Sequence, residues 1–280
     1  MSRPALFAGP RSGYKPPRRT DTTQRPQAMA PPSTEAGSDE KARIFCAIDT
    51  PDLDRARSLA RALAGAVGGI KLGLEFYAAR GPDGVRGVME AAAGAALFLD
   101  LKLHDIPNTV AAALRAAAPL APRMVNVHAT GGQAMMRAAR EAAAEGAAAA
   151  GCPPPLVVAV TVLTSLDAAD LCALGIGGTV EDQVLRLAEL AAAAGLDGVV
   201  CSAREIRPLR RALGTGFVLV TPGIRPAGAA PGDQKRVVTP AEALAAGADY
   251  LVVGRPITAA PDPAEAARRI VAEAAGAGPG

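Results

Sequence analysis

The chain has 280 residues, of which 50% are hydrophobic and 20% are charged, a composition typical of a globular protein. No apolar run reaches the roughly 18 uncharged residues that a membrane-spanning helix needs, so we expect no membrane partner. The formal charge of +3, from 30 Lys and Arg against 27 Asp and Glu, argues against a nucleic-acid partner and allows a small anionic ligand.

The first part of the chain differs in composition from the rest. Residues 1–40 hold seven of the 24 prolines and few clustered apolar residues, so we predict that they form a disordered tail. The first twenty residues are rich in Arg and free of acidic residues, as in a transit peptide, but no amphipathic apolar face accompanies them. We interpret residues 1–40 as a dispensable extension, with Met29 as an alternative start, and residues 41–280 as one domain.

From Arg43 onward, short β-type runs alternate with longer Ala-rich helical stretches. The eight predicted strands are Ile44–Asp49, Gly69–Gly73, Leu97–Lys102, Met124–His128, Leu156–Leu163, Gly198–Ser202, Phe217–Pro222 and Tyr250–Gly254. The predicted helices are Asp52–Ala66, Val85–Ala93, Pro107–Ala118, Gln133–Ala149, Val180–Ala194, Ala203–Ala212, Pro240–Ala246 and Pro263–Ala275. Such alternation indicates an α/β protein with a parallel sheet, and eight units fit a single (β/α)8 TIM barrel.

A doubly wound open sheet is the alternative fold. It usually carries a G-x-G-x-x-G turn after its first strand, because that turn approaches a bound pyrophosphate. Here the first predicted strand runs into Ile48-Asp49-Thr50-Pro51, so we favour the barrel.

Cysteine usage bears on the cellular compartment. The four cysteines lie far apart, with no C-x-x-C pair and no Cys and His spacing typical of metal ligands. The pattern predicts a reduced, cytoplasmic protein without a structural metal. The cysteines are Cys46, Cys152, Cys172 and Cys201.

Polar residues occupy the ends of the predicted strands, where a barrel builds its active site. They are Asp49, Lys71, Asp100, Lys102, Asn126, His128 and Thr164. Ionised side chains rarely lie in an apolar sheet without partners, so their convergence indicates a functional site. The alternative is a set of structural ion pairs that closes the top of the barrel.

The third predicted strand carries the densest group of such residues. Side chains two apart on a strand share a face, so we expect Asp100 and Lys102 to point the same way. Asp105 follows in the loop before a helix that Pro107 can start. The two histidines, His104 and His128, are interpreted as isolated residues with structural hydrogen bonds.

The segment 100–109, DLKLHDIPNT, resembles the signature of the orotidine 5′-phosphate decarboxylase family. The resemblance extends over nearly all of residues 43–270. Further matching motifs are AID at 47–49, IKLG at 70–73, VTVLTS at 160–165, TPGIR at 221–225, DQ at 233–234 and VGRP at 253–256. A shorter D-x-K-x-x-D pattern also occurs in sugar-phosphate decarboxylases and synthases of the same superfamily.

The resemblance implies a carboxy-lyase that converts orotidine 5′-monophosphate to uridine 5′-monophosphate and CO2 without a cofactor or metal, the last step of de novo UMP biosynthesis. It implies that the Lys102 ammonium stabilises the carbanion at C6 and then protonates it. Asp100 would lie beside the substrate carboxylate and hold Lys102, while Asp49 and Lys71 would contact the ribose.

The resemblance also implies a homodimer with composite active sites. Asp105 matches an aspartate that the family contributes from the neighbouring subunit, and Thr109 matches a residue at the same shared site. An alternative interpretation of Asp105 is a helix N-cap, a position that favours Asp.

Phosphate binding is expected after the last two strands. Barrels commonly bind phosphate in these loops, which here present Arg225, Gly254 and Arg255. The resemblance implies a mobile loop over residues 224–235, from which Gln234 would reach the phosphate or the pyrimidine.

Three further residues complete the implied substrate site. Thr164 and Ser165 would contact the pyrimidine, and Pro222 would lie against the substrate. A Thr-Ser pair at the end of a strand is otherwise a common helix cap.

Other functions compete with this interpretation. A metal-dependent 3-keto sugar-phosphate decarboxylase of the same superfamily would use the acidic residues around Mg²⁺, and a Schiff-base aldolase would use a strand lysine as a neutral amine. A noncatalytic nucleotide-binding barrel and an RNA-binding accessory protein are alternatives from other classes. The context of residues 104–109 and the paired Asp and Lys residues favour the cofactor-free decarboxylase.

Overall fold

The computed structural model describes residues 39–226 and 238–276. Its eight parallel strands close into a barrel in chain order, and β8 pairs with β1. The strands are β1 (Ile44–Ile48), β2 (Gly69–Gly73), β3 (Ala96–Leu103), β4 (Met124–His128), β5 (Leu156–Val160), β6 (Gly198–Val200), β7 (Val218–Pro222) and β8 (Tyr250–Val253). The predicted (β/α)8 barrel is confirmed.

Helices connect the strands on the outside of the barrel. Those in the described residues are α1 (Asp39–Ala42), α2 (Leu53–Leu63), α3 (Leu74–Ala91), α4 (Pro107–Ala117), α5 (Gly132–Ala150), α6 (Ala168–Ala173), α7 (Val180–Ala193), α8 (Ile206–Leu213), α9 (Pro240–Ala246), α10 (Arg255–Thr258) and α11 (Pro263–Ala274). None of them is both long enough and apolar enough to span a membrane. The predicted tail lies outside the described residues except for its last two, which begin α1.

Several element boundaries differ from the predictions, and those of β5 and α3 show the physical reasons. β5 ends at Val160 instead of Leu163, and the hydroxyl of Thr161 donates a hydrogen bond to the carbonyl of Val200 at 3.2 Å. α3 begins at Leu74, well before the predicted start, and bends at Gly81, whose φ of 60° is left-handed. Glycine adopts this conformation without a steric penalty, so a helical segment continues on both sides of the bend.

The barrel has two apolar cores. The larger one lies between the strands and the surrounding helices, and the smaller one lies inside the barrel. Aromatic rings fill the inner core: Phe45 meets Phe98 and Tyr250 edge-on, with ring centroids 6.1 and 5.7 Å apart. Gly69 makes this possible, because a Cβ there would lie 2.1 Å from a ring carbon of Phe45. The filled interior leaves the carboxyl ends of the strands, here called the mouth, as the place for a pocket.

Ion pairs hold the opposite end, here called the base, where the strands begin. Arg210 pairs with Asp249, and the same carboxylate accepts the backbone N–H of Leu219 at 2.7 Å. Asp197, at the start of β6, pairs with Arg140 at 3.3 Å and accepts the N–H of Val157 at 2.8 Å. Each aspartate thus binds both a charged side chain and the backbone of a neighbouring strand.

Candidate active site

A chain of alternating charges crosses the mouth from β1 to β3. Lys71 Nζ lies 3.2 Å from Asp49 Oδ1 and 3.1 Å from Asp100 Oδ2. Lys102 Nζ donates to Asp100 Oδ1 at 2.6 Å. Asp100 is therefore held between two ammonium groups, while Lys71 is held between two carboxylates.

The sheet brings these residues together through its register. Gly69 and Lys71 are two residues apart on β2, so the side chain of Lys71 points into the barrel on the same face as Gly69. Asp100 pairs with Gly73, and Asp49 follows directly after β1. Three neighbouring parallel strands thus end at one edge with charged side chains that turn towards each other.

The third strand carries an irregularity at the residues that matter most. Leu99 pairs with Val125 and Leu103 with Val127, so four steps along β3 are matched by two along β4. Lys102 lies inside this bulge with a left-handed φ of 48°. Asp100 and Lys102 do meet, as expected, but a bulge brings them together and not the regular alternation from which the expectation was argued.

Asn126, on β4, spans the bulge with both ends of its amide. Its Nδ2 donates to Asp100 Oδ1 at 2.6 Å, and its Oδ1 accepts the backbone N–H of Lys102 at 2.8 Å. The sequence places Asn126 at a strand end but supplies no role for it. The inward spacing of Met124 and Asn126 on a strand facing Asp100 is the signal that could have found it.

The network keeps Asp100 and Lys71 charged. Burial raises the pKa of Asp100, but Lys71 and Lys102, together with hydrogen bonds from Lys102 and Asn126, outweigh burial and hold the pKa below its ordinary value. Burial lowers the pKa of Lys71, but Asp100 and Asp49 outweigh it and the pKa lies above its ordinary value. A carboxylate between two cations is therefore the stable state of this site.

The network forms one wall of a cavity of about 150 Å³ at the mouth. Its remaining walls are mostly apolar, and the ring of Phe98 belongs to its lining. The lining residues are Lys71, Phe98, Asp100, Lys102, Val160, Val162, Leu163, Thr164, Val200, Cys201, Ser202, Pro222 and Val252. Charged groups beside an apolar cavity suit a ligand with both a flat apolar part and charge.

The residues expected near a pyrimidine lie at this end of the barrel. Thr164 and Pro222 line the cavity, whereas Ser165 lies beside Thr164 in an exposed turn and does not line it. The alternative of a helix cap is wrong, because the side chain of Asp167 caps the following helix, α6.

Asp105 and Thr109 lie outside the lining of the cavity. Both are exposed, and neither contributes to the lining. The N-cap of α4 is Ile106 and carries no side-chain cap bond, so the interpretation of Asp105 as a helix cap is wrong. Asp105 Oδ1 instead accepts the neighbouring N–H of Ile106 at 2.6 Å.

The residues expected to bind phosphate follow β7 and β8. Arg225 is 9% exposed, and its Nε has no hydrogen-bond partner among the described residues. Its backbone N–H binds the carbonyl of Val238 at 3.2 Å. Gly254 is the N-cap of the short helix α10 and Arg255 is its exposed first residue, while Gln234 lies outside the described residues.

The histidines correct another expectation. His104 and His128 are not isolated, because their ring centroids lie 5.4 Å apart. Burial lowers the pKa of His128, and the positive charges of His104 and Lys102 lower it further, against a smaller opposite effect of Asp100. Within residues 39–226 and 238–276, no three His, Cys, Asp or Glu side chains are grouped to hold a metal ion.

A closed parallel barrel with fixed lysines and a carboxylate around a mouth cavity defines a (β/α)8 barrel enzyme that acts on a small anionic substrate. Comparison with known proteins identifies the family. The model of the orotidine 5′-phosphate decarboxylase / HUMPS family matches residues 42–270. This chain belongs to that family.

Comparison with individual relatives gives the same family. Orotidine 5′-phosphate decarboxylase of Rhodospirillum rubrum is 61% identical over 233 residues, which cover 83% of this chain and 94% of that protein. The protein of the same name from Moorella thermoacetica is 58% identical over 83% of this chain and 92% of its own length. The crystal structure of orotidine 5′-phosphate decarboxylase from Lactobacillus acidophilus has a TM-score of 0.72 and 35% identity, and covers 82% of this chain and 98% of that chain.

Proposed function

We propose that the mouth decarboxylates orotidine 5′-monophosphate to uridine 5′-monophosphate and CO2 without a cofactor. The observation that carries the proposal is the Lys71–Asp100–Lys102 network beside an apolar cavity, in a chain whose relatives are named for this activity. A charged lysine beside a carboxylate suits this reaction better than Schiff-base chemistry, which needs a neutral amine.

The reaction creates a charge that the site is built to receive. When the bond between C6 and the carboxylate carbon breaks, its electron pair stays on C6 in the plane of the ring, where the π system cannot delocalise it. The Lys102 ammonium would stabilise this pair and then transfer a proton to C6, after which solvent reprotonates the amine. Asp100 would hold Lys102, and Lys71 would keep Asp100 ionised.

The remaining site residues would bind parts of the substrate remote from C6. Asp49 and Lys71 are assigned to the ribose. The pyrimidine is assigned to Thr164, Ser165 and Pro222, and the phosphate to Arg225, Gln234, Gly254 and Arg255. The Arg225 Nε supports this assignment, because it is a buried donor that has no partner among residues 39–226 and 238–276, and a phosphate oxygen would supply an acceptor.

A second copy of the chain would complete each site. Asp105 does not cap α4, and the adjoining Ile106 is 66% exposed. Leu74, which follows β2 at the same end of the barrel, is 56% exposed. We infer a homodimer in which Asp105 and Thr109 of each subunit serve the other subunit's mouth.

Mixed dimers test the shared site. Lys102→Ala and Asp105→Ala homodimers each carry a defect in both sites, whereas a mixed dimer would have one site with both defects and one intact site. With random pairing, about half of the dimers are mixed, which gives about a quarter of the wild-type site concentration. Activity that never exceeds the sum of the two parent variants, despite proven mixed dimers, would refute the composite site.

Substrate conversion tests the function itself. Purified protein is incubated with orotidine 5′-monophosphate, with and without a chelator, while ultraviolet absorbance is followed. We expect equal conversion in both samples, and a parallel sample with a 3-keto sugar phosphate should remain unchanged. Conversion of the sugar phosphate alone, dependent on Mg²⁺, would move the proposal to the metal-dependent alternative.

We place this enzyme in the cytoplasm. All four cysteines are unpaired, and two of them are buried, Cys46 and Cys201. Burial, with a contribution from Asp49, raises the pKa of Cys46 to about 12, so its thiol is unreactive at neutral pH. Detection of the native protein in a membrane or secreted fraction would contradict the assignment.

A further inference from the structure

Asn126 contacts the two residues that the proposed reaction depends on, yet it does not line the cavity. We propose that Asn126 is a positioning residue that sets the geometry of Lys102 and Asp100 through the two ends of its amide. The inference rests on the proposed function for its kinetic consequences, whereas its structural consequences are independent of activity.

Asn126 holds the backbone of Lys102 in an unfavourable conformation. A left-handed φ is unfavourable for a side chain with a Cβ, so the bulge needs a contact that selects it. The bond from the Lys102 N–H to Asn126 Oδ1, at 2.8 Å, is such a contact and joins the bulge to the next strand. The direction in which the Lys102 side chain leaves the backbone therefore depends on Asn126.

Asn126 also holds the carboxylate of Asp100. Asp100 Oδ1 receives both Lys102 Nζ and Asn126 Nδ2 at 2.6 Å, while Oδ2 lies 3.1 Å from Lys71 Nζ. A carboxylate bound on both oxygens cannot rotate without losing bonds. Asn126 thus fixes the anchor of Lys102 as well as its backbone.

The chemistry of the partners explains why the residue is an amide. The backbone N–H of Lys102 requires an acceptor, and ionised Asp100 requires a donor. Asn126 is 1% exposed, so water cannot replace either end. An aspartate at this position would keep the acceptor and lose the donor, and a leucine would lose both.

Asn126→Asp therefore separates the two roles. Two neighbouring carboxylates cannot both ionise easily, so the new pair should take up one shared proton as the pH falls. The protonated side chain can again donate to Asp100. We expect the kcat of Asn126→Asp to be reduced at high pH and to recover towards the wild-type value on acidification, with the KM nearly unchanged at all pH values.

Asn126→Leu should show no such recovery. We expect its kcat to fall about 100-fold at every pH, the size of effect that a displacement of about 1 Å can cause, with little change in KM. Met124→Leu is the matched control: Met124 lies on the same strand, is fully buried in the inner core, and has no contact with the network in the bonds described above. It should leave both kinetic constants unchanged.

The experiment compares the kinetics of these three variants and the wild type across pH, and adds crystal structures of both Asn126 variants. We expect Lys102 to leave the left-handed region in Asn126→Leu and to retain it in Asn126→Asp. Wild-type protein without decarboxylase activity would refute the proposed function and leave the crystallographic result to decide on Asn126. Active wild type with unchanged kcat in both variants, or an unchanged Lys102 backbone in Asn126→Leu, would overturn the inference; if Asn126→Leu does not fold, the acid recovery of Asn126→Asp decides it.

Discussion

The two ends of the barrel use the same charged residue types in different ways. At the base, Arg210 donates to the backbone carbonyls of Gly247 at 2.8 Å and Gly214 at 2.9 Å besides pairing with Asp249. That carboxylate also binds the N–H of Leu219. The charged side chains of the base thus bind the beginnings of strands and the ends of helices.

At the mouth, the charged groups bind one another and face a cavity. Lys71, Asp100 and Lys102 contact side chains in the bonds described, and all three line the same empty volume. Burial and pairing alone therefore do not mark an active site in a barrel. What separates the mouth from the base is a charged group whose open side faces space for a ligand.

The largest effect should follow from removing the proposed proton donor. Lys102→Ala should lower kcat at least about 1,000-fold, because it removes both the electrostatic stabilisation of C6 and the proton that C6 receives. The free energy of unfolding should change little, since Asp100 keeps its partner Lys71. Steady-state kinetics and urea unfolding measure the two quantities, and a stability loss that accounts for the lost activity would remove the distinction between mouth and base.

The opposite pattern is expected at the base. Asp249→Ala removes the only carboxylate partner of Arg210 in the bonds described and breaks a largely buried pair, which should cost about 3 kcal/mol in the free energy of unfolding. Activity per folded molecule should equal that of the wild type. A large fall in kcat with intact stability would show that the base takes part in the reaction.

The proposed phosphate site should give a smaller and more selective effect. Arg225→Ala should lower kcat/KM about 10- to 100-fold, because a charged hydrogen bond to phosphate contributes about 1.5–3 kcal/mol. Binding of uridine, which lacks the phosphate, should be unchanged, while binding of uridine 5′-monophosphate weakens. Equal weakening for both ligands would place Arg225 outside the phosphate site. Arg255→Ala is expected to follow the same pattern.

The mouth should also be the end of the barrel that responds to mild acid. The pKa of folded His128 lies below the ordinary value of 6.5, so the unfolded chain binds more protons between these two pKa values. The stability that neutral His128 allows is therefore present above pH 6.5 and is lost as the pH falls towards the folded pKa. Urea unfolding from pH 8 to pH 5 should show a shallower loss in His128→Asn, and identical slopes would contradict the assignment.

The smallest effect is expected from the N-terminal tail. Removal of residues 1–38, which stops before α1, should leave both turnover and stability as in the full chain, because every proposed site residue lies after residue 42. A loss of folded protein or of most of the turnover would contradict the interpretation of the tail as dispensable.

Sequence periodicity predicts much of this structure and fails at identifiable points. The alternation of strands and helices defines the barrel, and because parallel strands end at one edge, the convergence of Lys71 and Asp100 follows from it. The left-handed backbone of Lys102 does not follow, because a bulge depends on the register between two strands. The contact between His104 and His128 cannot be predicted from the sequence for the same reason, because each histidine lies at the end of a different strand.

The sequence pattern also fails to predict the local conformation at other positions. Gly81 and Pro82 interrupt the helical signal of α3, although the helix continues across the bend that they make. The burial of Arg225 is a tertiary property, since the flanking residues of a loop do not reveal what covers it. The sequence therefore predicts which residues lie together at the mouth, but it does not predict the hydrogen bonds that orient them.

In the proposed reaction, Lys102 delivers a solvent-exchangeable proton to C6 after CO2 leaves. The most direct measurement is the conversion of orotidine 5′-monophosphate in D2O with a chelator present, with the product analysed by proton nuclear magnetic resonance. We expect uridine 5′-monophosphate that carries one deuterium at C6 from the wild type, and negligible product from an equal amount of Lys102→Ala. Unchanged substrate with folded wild-type protein, or undiminished product formation by Lys102→Ala, would contradict it.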